Sequence, residues 1–265
     1  MHPLGRRAFI AGTLLACTVE PPTAPVLEAA SKRIADVESD IGGRLGVCAL
    51  DCGSGGKLVH RAAERFAMCS TFKWMLVADI CARADRGLIE LDEFVASQCE
   101  AAIVDSDNAA ANALLKRAGG PEGFTKWLRA IGDDTTRLDR DEPELNENAP
   151  GDPRDTTTPE AMVETMKTLL VGDILAEKWR KMIGDAMKRC RTGTRRLRAG
   201  MPKDWTVGDK TGTGEHGAVN DVAIAWRKYH SPILVACFTT EVKADLDTVE
   251  LAHTRVARIV AETFS

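Results

Sequence analysis

The sequence predicts an α/β fold of the α+β kind: one antiparallel sheet built from both chain ends, flanked by N- and C-terminal helices, with an all-helical lobe inserted between its halves. Three observations predict it. Apolar runs of strand length lie toward the two ends of the chain. The turns between neighbouring runs are too short for a crossover helix, so adjacent strands run antiparallel. The central stretch instead carries helical spacing punctuated by glycine and proline.

Taken in order, Ala30, Ile34, Val37 and Ile41 recur at helical spacing over 29–41, and Gly42-Gly43 ends that helix. Residues 45–50 and 57–60 read as strands around the Gly-rich turn 51–56. A helix opening at Ser70 stops at Gly87; 88–98 shows no clear element, and Cys99–Val104 reads as a short helix. Asn108–Ala118 is helical, Gly119-Gly120 terminates it, and Pro121 opens another helix to Ile131. Residues 132–158 have no sustained period and contain Pro143, Pro150 and Pro153, so they are expected to form an ordered functional loop. Helices are expected over 159–170 and 175–190, strands over 205–211, 218–227 and 233–240, and a last helix over 247–264. The expected division is a leader at 1–25, a sheet lobe from 26–62 and 191–265, and a helical lobe at 63–190.

At 265 residues the chain can bury a large core, and its formal charge of −4 leaves no footprint for nucleic acid. No apolar run beyond the leader reaches transmembrane length. Arg6-Arg7-Ala8-Phe9-Ile10, the apolar run Ala11–Ala16 and the Pro-rich 21–25 have the order of an export signal, of the twin-arginine type. Leu14-Leu15-Ala16-Cys17 resembles a lipoprotein cleavage box, which makes Cys17 a candidate lipid anchor. The expected location is therefore periplasmic or cell-surface, and the default oligomeric state is a monomer. The eight cysteines form no metal-type CxxC pair, and His2, His60, His216, His230 and His253 are scattered, so neither a metal nor another cofactor is expected.

The chemistry starts from Ser70-Thr71-Phe72-Lys73. Three residues of helical spacing bring hydroxyl and amine to one face, and a desolvated lysine can take a proton from a weak nucleophile. Alone, this is equally a helix cap with a solvated lysine. Ser106-Asp107-Asn108 supplies a second hydroxyl and an amide at a helix start; Glu142-Pro143-Glu144-Leu145-Asn146 lies in the long loop; Lys210-Thr211-Gly212-Thr213-Gly214 ends a strand. Arg140 and Asp155 flank the loop and are placed to clamp its neck as an ion pair.

Together and in this order, Ser-x-x-Lys, Ser-Asp-Asn and Lys-Thr-Gly resemble the serine β-lactamase and penicillin-binding protein superfamily, and the loop with Glu142 and Asn146 resembles class A β-lactamases in particular. The resemblance spans nearly the whole chain after the leader and implies a β-lactamase/transpeptidase-like fold acting on small-molecule β-lactams. It implies Ser70 as the acylated nucleophile, Lys73 as its proton partner, and Glu142 with Asn146 as the group that holds and deprotonates the deacylating water, with either Lys73 or Glu142 as the base for acylation. It implies an oxyanion hole from the N–H groups of Ser70 and Thr213, and a proton path to the leaving nitrogen through Ser106 and Lys210. Asn108 would bind the substrate's side-chain amide, and Thr211, Thr213, Lys210 and Arg196 its carboxylate. A cell-wall D-Ala-D-Ala peptidase shares Ser70, Ser106 and Lys210 but not the Glu142 water site; a third alternative is a protein that is acylated and stays so.

Two departures stand out. Cys69 precedes the nucleophile as in class A carbapenemases, where it pairs with a cysteine after the Lys-Thr-Gly-Thr motif; here that position is Gly214. Ser70 and Ser106 are also closer in sequence than in relatives, by roughly two dozen residues. The shortening is expected between Gln98 and Cys99, and is expected to weaken the helical lobe and open the cleft.

Overall fold

Alternation along the last strand explains the layering. Strand β7 (Ile233–Thr240) sends Ile233, Val235 and Cys237 into one apolar core and Leu234, Ala236 and Phe238 into another, because successive side chains point to opposite faces. Every residue of β7 is buried, so its sequence is apolar on both faces. The computed structural model describes residues 20–265; the leader motifs and Cys17 lie outside the described residues. The main sheet runs β2-β1-β7-β6-β5, with β1 at Arg44–Asp51, β2 at Lys57–His60, β5 at Thr206–Thr213 and β6 at Val219–Trp226. All of its pairings are antiparallel, and β1 lies beside β7, so the two chain ends meet as expected.

One face of the sheet carries α1 (Ala24–Ile41) and α9 (Leu246–Thr263), with the short α8 (Leu197–Gly200) against α9. The other face carries α6 (Pro159–Met166) against β1 and β7, and α7 (Glu177–Lys188) against β5. Beyond these lies the helical lobe of α2 (Lys73–Asp85), α3 (Glu93–Val104), α4 (Asn108–Ala118) and α5 (Gly120–Ala130). Among the described residues no helix is long and apolar enough to cross a membrane.

Several boundaries differ from expectation. Helix α1 begins at Ala24, with Pro25 in its first turn, where a missing N–H breaks no helical bond. The leader boundary at residue 25 therefore falls inside a helix. Ser70 lies in a 3₁₀ turn, Cys69–Phe72, and the α-helix starts only at Lys73. A two-stranded sheet, Phe66–Ala67 (β3) with Thr156–Thr157 (β4), anchors the long loop beside the nucleophile turn and was not foreseen. Most consequentially, Gln98 and Cys99 are neighbours within one continuous helix. Helix α3 starts six residues earlier than expected, at Glu93, because the Asp92 carboxylate accepts from the Val95 N–H at 2.7 Å. From there Val95, Cys99, Ala102 and Ile103 bury one stripe. Leu88 and Phe94, on either side of this cap, are 68% and 62% exposed.

Because Asp92 holds the start of α3, Asp92→Ala is expected to cost about 0.5–2 kcal/mol of stability, read as a lower urea midpoint with an unchanged slope.

Candidate active site

The nucleophile turn and the edge strand meet where only glycine fits. A Cβ on Gly212 would lie 2.6 Å from the Met68 carbonyl oxygen and 3.0 Å from the Ser70 nitrogen. Its absence lets β5 approach the backbone of Ser70. Strand β5 is the sheet edge, so its outward N–H groups have no strand partner. From β6 the Asn220 amide donates to the Ala67 and Met68 carbonyls at 2.8 and 3.2 Å, fixing the segment before Cys69, whose φ of 46° is left-handed.

Lys73 is fully buried, and all three of its ammonium hydrogens have acceptors: the Ser106 carbonyl at 2.8 Å, Asn108 Oδ1 at 2.6 Å and Glu142 Oε1 at 2.9 Å. Burial lowers its pKa, and the Glu142 carboxylate opposes the fall. Ser70 Oγ donates to the same Glu142 Oε1 at 2.9 Å. The hydrogen-bond partner of the Ser70 hydroxyl is thus Glu142, and Lys73 meets it through that shared oxygen rather than as the direct partner expected. The other carboxylate oxygen of Glu142 accepts from Asn146 Nδ2. Asn146 Oδ1 is buried with no protein partner, beside the carboxylate.

Glu142 is held by its main chain as well. The Asn112 side chain donates from Nδ2 to the Glu142 carbonyl at 2.7 Å and accepts the Glu142 N–H on Oδ1 at 3.0 Å. Sequence reasoning missed Asn112. Its signal was present: it lies four residues after Asn108 on the same face of α4. The loop neck closes as its charges suggested. Asp155 Oδ2 pairs with Arg140 Nε at 2.7 Å, and Oδ1 accepts from the Asp139 and Arg140 N–H groups at 2.7 and 2.9 Å.

Opposite Ser70, Lys210 Nζ donates to Ser106 Oγ at 2.9 Å and to the Thr211 carbonyl at 2.8 Å. Lys210 is fully buried, and burial holds its pKa down at about 8. Ser106 keeps a left-handed φ of 58°, which orients it between Lys73 and Lys210. Asn108 is exposed at the cleft with its oxygen on Lys73, so its Nδ2 hydrogens remain for a ligand.

Arg196 is placed differently from expectation. It is only 4% exposed, with NH1 on the Gly212 and Asn220 carbonyls at 3.1 and 2.8 Å and Nε facing Glu250 at 3.3 Å. Its NH2 donates to Thr213 Oγ1 at 2.8 Å. The segment before α8 passes beneath β5, so the guanidinium supports Thr213 from behind instead of opening onto the cleft. Thr211 Oγ1 lies 2.5 Å from Thr192 Oγ1, another residue sequence reasoning left out. Gly214 packs against the nucleophile turn: a Cβ there would meet Asn148 Nδ2 at 2.6 Å and Cys69 Sγ at 2.7 Å. Asn148 Nδ2 donates to that sulfur at 3.2 Å, and burial pushes the Cys69 thiol up to about 12. Among the described residues no cluster of His, Cys, Asp and Glu is arranged to hold a metal ion.

The beta-lactamase enzyme family model matches residues 29–98 and 94–264. The chain belongs to that family. It is 39% identical to beta-lactamase AST-1 of Nocardia asteroides, over 97% of this chain and 95% of that one. It is 42% identical to the carbapenem-hydrolyzing beta-lactamase KPC of Klebsiella oxytoca, over 86% of each. Among solved structures, the class A beta-lactamase GNCA4, a last common ancestor of those of Gram-negative bacteria, superposes with a TM-score of 0.87 at 48% identity, covering 89% of this enzyme and 100% of that chain. The AST-1 alignment runs over 295 positions, more than the 265 residues of this β-lactamase, so the relative carries residues that have no counterpart here. The family match divides at 94–98, in the first turns of α3.

Since Asn112 satisfies both main-chain groups of Glu142, Asn112→Ala is expected to cost about 1–3 kcal/mol in urea unfolding. Steady-state turnover of a chromogenic cephalosporin should fall by roughly tenfold to a hundredfold as the carboxylate loses its position.

Proposed function

We propose that this β-lactamase opens the lactam amide through an acyl-enzyme on Ser70, and that Glu142 serves both halves of the reaction. The observation that carries this is the meeting of Ser70 Oγ and Lys73 Nζ on Glu142 Oε1, each at 2.9 Å. A carboxylate already accepting the nucleophile's hydrogen is the nearest base for it. Lys73, with three acceptors, acts as the ammonium that steadies that carboxylate and the charge developing nearby. Attack by Ser70 on the carbonyl places negative charge on its oxygen, facing the N–H groups of Ser70 and Thr213; fixed donors of this kind contribute roughly 3–4 kcal/mol each.

The lactam nitrogen leaves with a proton from Ser106 Oγ, which Lys210 replaces. A buried lysine held near pH 8 gives up a proton far more readily than a solvated one. Asn108 Nδ2 would donate to the substrate's side-chain amide, and Thr211 and Thr213, the latter backed by Arg196, would take its carboxylate. In the second half Glu142 and Asn146 bind a water, the free Asn146 Oδ1 accepting one of its hydrogens. Between the halves Glu142 gives up the proton it took from Ser70 to solvent and Lys210 regains one from it, so Glu142 is again a carboxylate. It then takes the other hydrogen of the water as the oxygen attacks the ester, and Ser70 leaves with that proton restored. This water site supports the hydrolase over the peptidase reading. The basic and then apolar order of residues 6–16 supports action after export, Cys17 after Leu14-Leu15-Ala16 supports a lipid anchor there, and the two-lobed division supports a cleft between sheet and helices.

Intact mass and absorbance followed together on a chromogenic cephalosporin test the assignment. The native enzyme should turn over continuously, Ser70→Ala should show neither turnover nor adduct, and Glu142→Ala should accumulate a stable adduct on Ser70. An adduct that clears in Glu142→Ala at the native rate would remove Glu142 from deacylation.

The pH dependence follows from Lys210. Its protonated form lends the proton, and that form is lost as pH rises through about 8. A plot of kcat/KM against pH should therefore fall on the alkaline side with a midpoint near 8. Lys210→Arg, which keeps the charge but does not give up a proton, should lower kcat/KM at every pH and abolish the fall near 8.

A further inference from the structure

A short chain of hydrogen-bonding groups runs from the buried side of β5 to the cleft. Cys190 Sγ lies 3.3 Å from Thr192 Oγ1, which lies 2.5 Å from Thr211 Oγ1. In both pairs either atom can donate, so the hydrogens admit two directions. Cys190 is 2% exposed, and burial raises its thiol pKa, so it carries its hydrogen at neutral pH. On its far side stands the buried Asp209 carboxylate. Arg198 holds Asp209 Oδ1, Oδ2 has no nitrogen or oxygen donor, and a hydrogen bond from the Cys190 side chain opposes the upward push of burial on the carboxyl's pKa. Gly193 fits directly against that carboxylate, where a Cβ would overlap it, so the turn carrying Thr192 is seated firmly between the two ends of the chain.

We propose that Cys190 is a positioning residue for the substrate carboxylate: it fixes the direction of the Thr192–Thr211 hydrogen bond so that the Thr211 hydrogen points into the cleft. With the Cys190 hydrogen turned to Asp209 and Thr192 donating to Thr211, the Thr211 hydrogen is free for an anion. In the reverse direction Thr211 donates inward, and an approaching carboxylate meets only lone pairs. Sulfur makes the difference because it is a weak acceptor. A Thr192 hydroxyl gains more by donating to the Thr211 oxygen than to Sγ, which selects the first direction. An oxygen at position 190 would reverse the preference. Its O–H would turn to the unpaired Asp209 Oδ2 as a charge-assisted bond, and it would accept well from Thr192.

The inference rests on Thr211 binding the substrate carboxylate, and the test separates the two. The readout is the ratio of kcat/KM for benzylpenicillin to that for its methyl ester, which lacks the anion. Cys190→Ser should lower this ratio by about 3- to 10-fold through KM for the free acid, with the ester unchanged as the control for folding. Adding Thr192→Val to Cys190→Ser should restore the ratio, because Thr211 then has no inward acceptor. Cys190→Ala, which removes the sulfur without supplying an acceptor, should lower the ratio by less than Cys190→Ser. An unchanged ratio in Cys190→Ser, an equal loss on acid and ester, or no recovery with Thr192→Val would each overturn the proposal. If Thr211→Val also leaves the ratio at the native value, the carboxylate site itself is misassigned, and the reading beneath the inference fails with it.

Discussion

The buried charge of Lys73 is the constraint on which the site depends. An ammonium removed from water must have every hydrogen accepted or it becomes very costly. Here the acceptors come from two separate stretches: the Ser106–Asn108 turn and the Glu142 loop. Nucleophile turn, α4 and loop are thereby drawn to one point by the solvation of a single cation. Ser106 and Asn108 are held by Lys73 and Lys210 directly, and α3 is tied to that turn by the Asp105 and Asp107 N–H groups bonded to the Ala101 carbonyl.

Elements with local punctuation were readable from the sequence. Helix α4 matches its expected limits because Asp107 caps one end and Gly119 takes a left-handed conformation at the other. The strand 233–240 matches because its run from Ile233 to Phe238, buried on both faces, is apolar. The start of α3 had a local signal too, in Asp92, but the following residues mix Phe94, Ser97 and Gln98 in a way that hides the stripe. The residues of the site were legible by type and order, whereas their partners were not. Spacing placed Lys73 one turn from Ser70; nothing local reveals that a carboxylate from a distant loop takes the serine's hydrogen. Likewise an arginine beside the Lys-Thr-Gly strand suggested an open anion site, and only the packing of α8 and Glu250 shows it facing the strand from behind.

Behind β5 the enzyme concentrates ionic groups that never meet solvent: Arg196, Asp209 and Asp221, with Glu250 and the partly covered Arg198 at the margins. Asp221 Oδ2 accepts the Leu197 N–H at 3.0 Å, and Arg198 reaches Asp209, so strand and α8 are joined by charged bonds. Such pairs add little net stability against apolar replacements, but an error in register leaves a charge unpaired. The strand that lines the cleft is thus supported on its far side by groups that tolerate one alignment.

The seam where the nucleophile turn meets Gly214 has a consequence for where the enzyme can mature. The seven described cysteines are all free thiols, and this seam is closed by the Asn148 amide on the Cys69 sulfur with a bare glycine opposite. Nothing in that contact requires an oxidant or yields to a reductant. The cleft can therefore take its final shape in a reducing compartment and keep it in an oxidising one, as a protein exported already folded would require.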